Sequence, residues 1–219
     1  MSIPKLSILI LTHNRPKLFE RCINSILQFK FSFNIEVLVN NDSKDIQEIY
    51  SDSYPIRYSY YSNNNLGYLY KHLFDLASGE YIYFLEDDDY LSSSFVEHLV
   101  LDSSLIYMNY KPAKLEDRLL QLTYRNNFKI ETTNDLFQLS QIIFKKELLP
   151  SFPSELLNNH LDNDWKLFQI LKQSVDGSDG KITLIKKQMF IQTCDGLDNI
   201  SFPEHNKDER FLNNTTVKN

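Results

Sequence analysis

The chain has 219 residues, 42% of them hydrophobic, with 15 Phe and 13 Tyr, enough apolar material for one sizeable core. A formal net charge of −6 offers no basic field for nucleic acid, and five Gly with seven Pro exclude a low-complexity chain. Two cysteines, Cys22 and Cys194, make neither a disulfide framework nor a zinc site. In chain order, residues 6–11 (Leu-Ser-Ile-Leu-Ile-Leu) read as a strand buried on both faces. The run is too short to cross a bilayer and lacks the flanks of a signal peptide, so a reducing cytoplasm is expected. Pro16 starts a helix in which Leu18, Phe19, Cys22, Ile23, Ile26 and Leu27 recur at helical spacing. Residues 35–39 are a second buried strand, ending at Asn40-Asn41-Asp42-Ser43. Strand, helix and strand within so few residues predict a parallel α/β unit.

Residues 57–61 predict a third strand, followed by Asn63-Asn64-Asn65-Leu66-Gly67 and a helix over 68–77 that stops at Ser78-Gly79. The strand 81–85 then runs into four consecutive acids, Glu86-Asp87-Asp88-Asp89. Ser92 is placed to cap a helix through Leu101, and 105–110 reads as another strand. Beyond it, 111–133 is polar, 137–144 looks extended, and 145–149 suits a short helix. Residues 164–173 have a helical pattern, 181–185 and 187–193 look like two strands, and 204–219 is a polar tail. Asp176-Gly177-Ser178-Asp179-Gly180 is too short for an EF-hand and reads as a turn.

The four acids carry the argument for function. Like charges repel, and folding alone does not ask for them at the end of a core strand. A hard divalent cation is held by one or two carboxylates plus substrate phosphates. Open α/β sheets bind ligands at the carboxyl ends of their strands. The competing reading is a solvated charged loop.

Four blocks in order resemble glycosyltransferase family 2. Residues 6–16 look like its first strand and nucleotide loop, and 37–45 (Val-Leu-Val-Asn-Asn-Asp-Ser-Lys-Asp) like its Val-Val-Asp-Asp-Gly-Ser-Thr-Asp block. Asn65-Leu66-Gly67 with Ala77–Tyr81 looks like its Asn-x-Gly … Ala-x-Gly-Glu-Tyr stretch, and 84–91 like its Asp-x-Asp block. The resemblance is good over 6–91 and weak beyond. It implies an α/β fold of the GT-A type, a Rossmann-like nucleotide-binding mixed sheet flanked by helices in a single domain over 1–203. Residues 1–110 would form the nucleotide-sugar half and 111–203 the acceptor half.

The resemblance also implies a metal-dependent inverting transferase that moves a sugar from a nucleotide-diphosphate donor to a glycan or lipid-linked acceptor. Asp88 aligns with the ligand for Mn²⁺ or Mg²⁺. Glu86 and Asp87 face ribose and diphosphate, His13 lies against the base, and Arg15 is near the phosphates. Thr12, Asn65, Gly67 and Lys71 complete the donor side; Lys71 and His72 could add cationic help there, with a surface position as the stronger alternative. Asn40 stands where an Asp commonly contacts uracil; its amide oxygen still accepts a hydrogen bond, without charge assistance. UDP is therefore the favoured nucleotide.

For the base that deprotonates the acceptor, Leu161-Asp162-Asn163-Asp164-Trp165 resembles the family's acid before an aromatic helix start. Asp164 is the first choice and Asp162 the second; the bland alternative is helix capping. Trp165, spaced with Phe168, reads as core, and His160 and His205 as solitary. Two other functions compete. A sugar nucleotidyltransferase would want a glycine-rich loop after the first strand, which Thr12-His13-Asn14-Arg15 is not. A non-catalytic nucleotide-sugar or glycan-binding module is kept open by Asn40-Asn41. Expected partners are the donor and the acceptor, with peripheral membrane contact through the latter and no nucleic acid.

Overall fold

A computed structural model describes residues 3–43, 48–112, 138–157 and 163–193. Their elements run β1 (Leu6–Thr12), α1 (Pro16–Leu27), β2 (Ile35–Asn41), β3 (Ile56–Ser59), α2 (Leu66–Leu76), β4 (Tyr81–Phe84), β5 (Tyr90–Leu91), α3 (Ser93–His98), β6 (Leu105–Pro112), β7 (Ile142–Lys145), α4 (Asn163–Asp176) and β8 (Ile182–Gln192). One mixed sheet has the order β3-β2-β1-β4-β7-β6-β8-β5. Its first four strands are parallel, with Thr12 opposite Asn41 and Asn40 opposite Ser59. The Leu85 N–H donates to the Leu9 carbonyl, 3.0 Å, so β4 also ends on this edge. Thr12, Asn40 and the acids after β4 therefore share one edge of the sheet, as the polar punctuation predicts. β7 turns antiparallel to β4 and joins the second half of the sheet to the first.

Strand alternation divides the core in two. Leu6, Ile8, Ile10, Ile35, Val37 and Val39 point to the face covered by Phe19, Cys22, Ile23 and Ile26 of α1. Leu9, Leu38, Ile82 and Phe84 point the other way, against Leu73 and Phe74 of α2 and Leu167, Leu171 and Val175 of α4. Truncating a sealed contact such as Ile23 to Ala would cost about 2–5 kcal/mol. At the turn into β4 the chain passes so close to β1 that only glycine fits. A Cβ on Gly79 would lie 2.5 Å from Ser7 Oγ and 2.7 Å from Ser7 N. Among the described residues no helix is long and apolar enough to cross a membrane.

Several boundaries differ from expectation for identifiable reasons. β3 stops at Ser59 rather than Tyr61, because the Asn40 side chain takes over the next rung: its Nδ2 donates to the Tyr61 carbonyl and its Oδ1 accepts from the Tyr61 N–H. The two C-terminal strands are one strand, β8, which runs parallel to β6 and absorbs the break in pattern as a bulge at Asn109. The segment expected to be extended from 137 starts as a 3₁₀ turn, Leu139–Gln141, before β7. The polar stretch 113–133, Asp162, Cys194 and the tail lie outside the described residues.

Candidate active site

The turn between β1 and α1 is built by Asn14, which adopts a positive φ of 53°. Asn is one of the few side chains that tolerate that region. Its N–H is satisfied by Ser43 Oγ at 3.0 Å, which ties the turn to the end of β2. Either side of Asn14 lie two donor-side residues. His13 Nδ1 is 2.5 Å from Asp42 Oδ1 and its Nε2 is 2.9 Å from Asn14 Nδ2, so the ring is held at both nitrogens. Arg15 reaches across the edge to the acids, with Nη2 2.7 Å from Asp87 Oδ1 and Nη1 3.5 Å from Asp88 Oδ2. Thr12 is buried, and its hydroxyl has no hydrogen-bond partner among the described residues.

The four acids divide by burial and partner. Asp87 is sealed at 1% side-chain exposure against Arg15, whereas Asp88 keeps 14% and the longer contact. Asp89 points inward and accepts the Thr193 N–H at 3.2 Å. Burial pushes the Glu86 carboxyl well above the usual range; Asp89, Asp88 and Asp164 push it further, and Arg15 opposes them. Burial and Asp88 likewise raise Asp89, against hydrogen bonds from Ser140 and Thr193 and the charge of Arg21.

The influence of Asp164 on Glu86 brings the two halves of the chain together. Asp164 lies in the first turn of α4 and is half-buried. Tyr70 stands in the same field and was not foreseen. Its ring packs edge-on against Phe84, centroids 5.4 Å apart. Burial raises its phenol, followed by the charges of Glu86, Asp164 and Asp87, with Arg15 opposing. A signal was present, since Tyr70 follows Gly67 by three residues and so shares its helix face. Trp165 tilts against Phe168 at 5.3 Å, in keeping with a packing role.

Other predicted residues are placed differently. Asn40 is fully buried, and its Oδ1 accepts from Ser59 Oγ at 2.9 Å as well as from the Tyr61 N–H at 3.0 Å. Both acceptor sites of the amide oxygen are used here, so that Asn40 closes the β2–β3 edge. Asn65 caps α2 by accepting from the Gly67 N–H, 2.9 Å, and donates to the Leu157 carbonyl, 3.1 Å. Lys71 pairs with Asp75 one turn along α2, a surface ion pair. His72 stacks on Tyr61, centroids 4.7 Å apart, and burial lowers its pKa against an opposing pull from Asp75, which disfavours the cationic form expected of it. Asp162, His160 and His205 lie outside the described residues.

The residues fit a hard cation in one respect. Asp88 offers a carboxylate with solvent access in a field already crowded with negative charge, the donor type Mg²⁺ and Mn²⁺ require. Among the described residues no group of three His, Cys, Asp or Glu side chains surrounds a common point; such cations are commonly completed by substrate phosphates and water.

Comparison with known proteins bears on the fold. The TarS fragment 1–349 of S. aureus superposes with a TM-score of 0.60 at 18% identity, over 86% of this chain and 60% of that one. The mannosyltransferase PcManGT from Pyrobaculum calidifontis, in complex with GDP-Man and Mn²⁺, gives 0.56 at 10% identity, over 93% and 60%. The architecture is thus the GT-A glycosyltransferase fold. Residues 7–103 match the family described as "Glycosyl transferase family 2". The GalNAc(5)-diNAcBac-PP-undecaprenol beta-1,3-glucosyltransferase of Campylobacter jejuni is 33% identical over 106 residues, 45% of this chain and 34% of that protein. The chain spans about a third of the length of that curated relative.

Proposed function

We propose that the protein is an inverting glycosyltransferase that moves a hexosyl or N-acetylhexosaminyl unit from a nucleotide-diphosphate donor, a UDP-sugar by preference, to a hydroxyl of a glycan or lipid-linked glycan. The carrying observation is the Arg15 bridge from the β1–α1 turn to Asp87 and Asp88 at the carboxyl edge of the sheet, where the charge of Asp164 also bears on Glu86. In this reading Arg15 fixes Asp87 and turns Asp88 toward the donor diphosphate. Asp88 holds Mn²⁺ or Mg²⁺; when bound, the cation neutralises charge growing on the leaving diphosphate. Glu86 and Asp87 bound the ribose and phosphate side, and Thr12 and His13 the base side. The Thr12 hydroxyl, buried without a partner among the described residues, supports a polar ligand there. Asp164 takes the proton from the acceptor hydroxyl as it attacks the anomeric carbon, with Asp162 the second choice.

The lipid-linked acceptor in the name of the Campylobacter relative supports an acceptor of that class; in this reading the protein works in surface glycan assembly at the inner face of a membrane. The relevant experiment incubates the protein with a panel of UDP- and GDP-sugars, with and without Mn²⁺, and measures nucleotide release and anomeric configuration of the product. Release dependent on Mn²⁺ with a UDP-sugar is expected. A protein that binds donors but never turns over with glycan acceptors would instead be a binding module.

A further inference from the structure

Arg15 pairs with the side chains of Asp87 and Asp88, but the backbone of the acid run is gripped separately. One face of α1 supplies three holds. Cys22 Sγ lies 3.6 Å from the Glu86 carbonyl as a weak donor. Arg21 Nη2 donates to the Asp88 carbonyl at 2.5 Å, and Ser25 Oγ accepts the Leu91 N–H at 3.0 Å. The spacing of 21, 22 and 25 puts all three on the same side of the helix. A fourth hold comes from the end of β8. The Thr193 hydroxyl donates to the same Asp88 carbonyl and accepts from Arg21 Nη2 at 2.9 Å, while its N–H donates to Asp89 Oδ1 at 3.2 Å. Arg21 also lies over the Tyr90 ring, 4.9 Å from its centroid.

We infer that Arg21 and Thr193 are positioning residues that converge on the Asp88 carbonyl and thereby fix the direction in which the Asp88 carboxylate is presented to a donor diphosphate and its cation. The inference rests on the glycosyltransferase reading of the site. Four carboxylates in sequence repel one another, so the loop that carries them tends to splay. Hydrogen bonds to charged donors are the stronger kind, and a guanidinium with a hydroxyl on one carbonyl oxygen uses both of its lone pairs. The Asp88 peptide is then clamped between α1 and β8, a residue from each half of the chain, while its carboxylate stays at the accessible edge.

Supports of this kind are worth roughly 10- to 100-fold in metal affinity. The test measures UDP affinity by calorimetry with and without Mn²⁺, alongside melting temperature, for wild type, Thr193→Val, Thr193→Ser, Arg21→Met and Asp88→Ala. Thr193→Val keeps the shape and removes only the hydroxyl. Its Mn²⁺-dependent UDP affinity should fall about tenfold with the melting temperature little changed, and Thr193→Ser should recover most of the loss. Arg21→Met should show at least the same loss. Wild-type affinity in Thr193→Val and Arg21→Met, with Asp88→Ala defective, would overturn the inference and leave the transferase reading standing. A wild type that binds neither UDP nor GDP with Mn²⁺ would sink both.

Discussion

Buried carboxylates sit at both ends of the parallel strands, and they are treated in opposite ways. At the amino end, Glu36 of β2 accepts from Ser7 Oγ at 2.6 Å, from the Ser78 N–H at 2.7 Å and Oγ at 2.8 Å, and pairs with Arg57 at 2.8 Å. Burial alone would raise its pKa, but these hydrogen bonds and the Arg57 charge outweigh it and the pKa is lowered. At the carboxyl end, Glu86 and Asp89 are raised by burial and by each other's neighbourhood, with Arg15 and Arg21 only partly compensating. The first acid is surrounded by donors and stabilises the folded chain. The second group is left crowded where a ligand would complete it. Carboxylates perturbed by burial and by one another are candidates for a functional site.

The comparison can be broken most sharply at Asp164. Asp164→Asn keeps the shape and cannot accept a proton, so turnover should fall by about 10²–10⁴ while donor binding survives. Steady-state kinetics that scarcely move would reduce Asp164 to a helix-terminal residue, since Asn caps as well as Asp. Next in size is Asp88→Ala. Mn²⁺-dependent nucleotide binding should drop by more than the roughly 100-fold typical of supporting residues, without loss of melting temperature. Unchanged calorimetric titrations would remove Asp88 from the site.

At the other end the expected effect is on stability. Glu36→Ala leaves the buried Ser7 hydroxyl and the Ser78 N–H without this acceptor, at a cost of about 1–3 kcal/mol, or roughly 2–12 °C in Tm, while the half-exposed Arg57 keeps the Leu76 carbonyl at 3.0 Å. Catalysis in the surviving folded fraction should be normal. The pH dependence follows in sign. Because the folded Glu36 pKa lies below its ordinary value of 4.5, its contribution is complete above that pH and is lost as pH falls through the folded pKa. Acid denaturation of Glu36→Ala should accordingly be shallower than that of wild type. The smallest effect is the inverse one. Glu86→Gln relieves repulsion at the carboxyl end, and denaturant unfolding at neutral pH should show no loss or a gain of about 1 kcal/mol, with activity reduced. Clear destabilisation by this variant would mean that the two ends do not differ as described.

Much of this was legible in the sequence because it depends on near neighbours. Continuous apolar runs gave β1, β2 and β4, helical spacing from Pro16 gave α1, and polar residues at each strand end marked one edge of a parallel sheet. The position of the acids after β4 followed from the same local reading. What tertiary structure alone decided involves partners far apart in the chain. Asn40 and Tyr61 are 21 residues apart, and the amide of Asn40 forms a rung at the edge of the sheet. Asn65 reaches Leu157 across 92 residues, and Thr193 reaches the Asp88 carbonyl across 105. A side chain's donors and acceptors are visible in its residue type, but their partners are set only when the sheet order brings distant segments together. That is why the sequence could name the acids, while only the fold could say that Arg15 holds the Asp87 and Asp88 side chains and that Arg21 and Thr193 hold the Asp88 carbonyl.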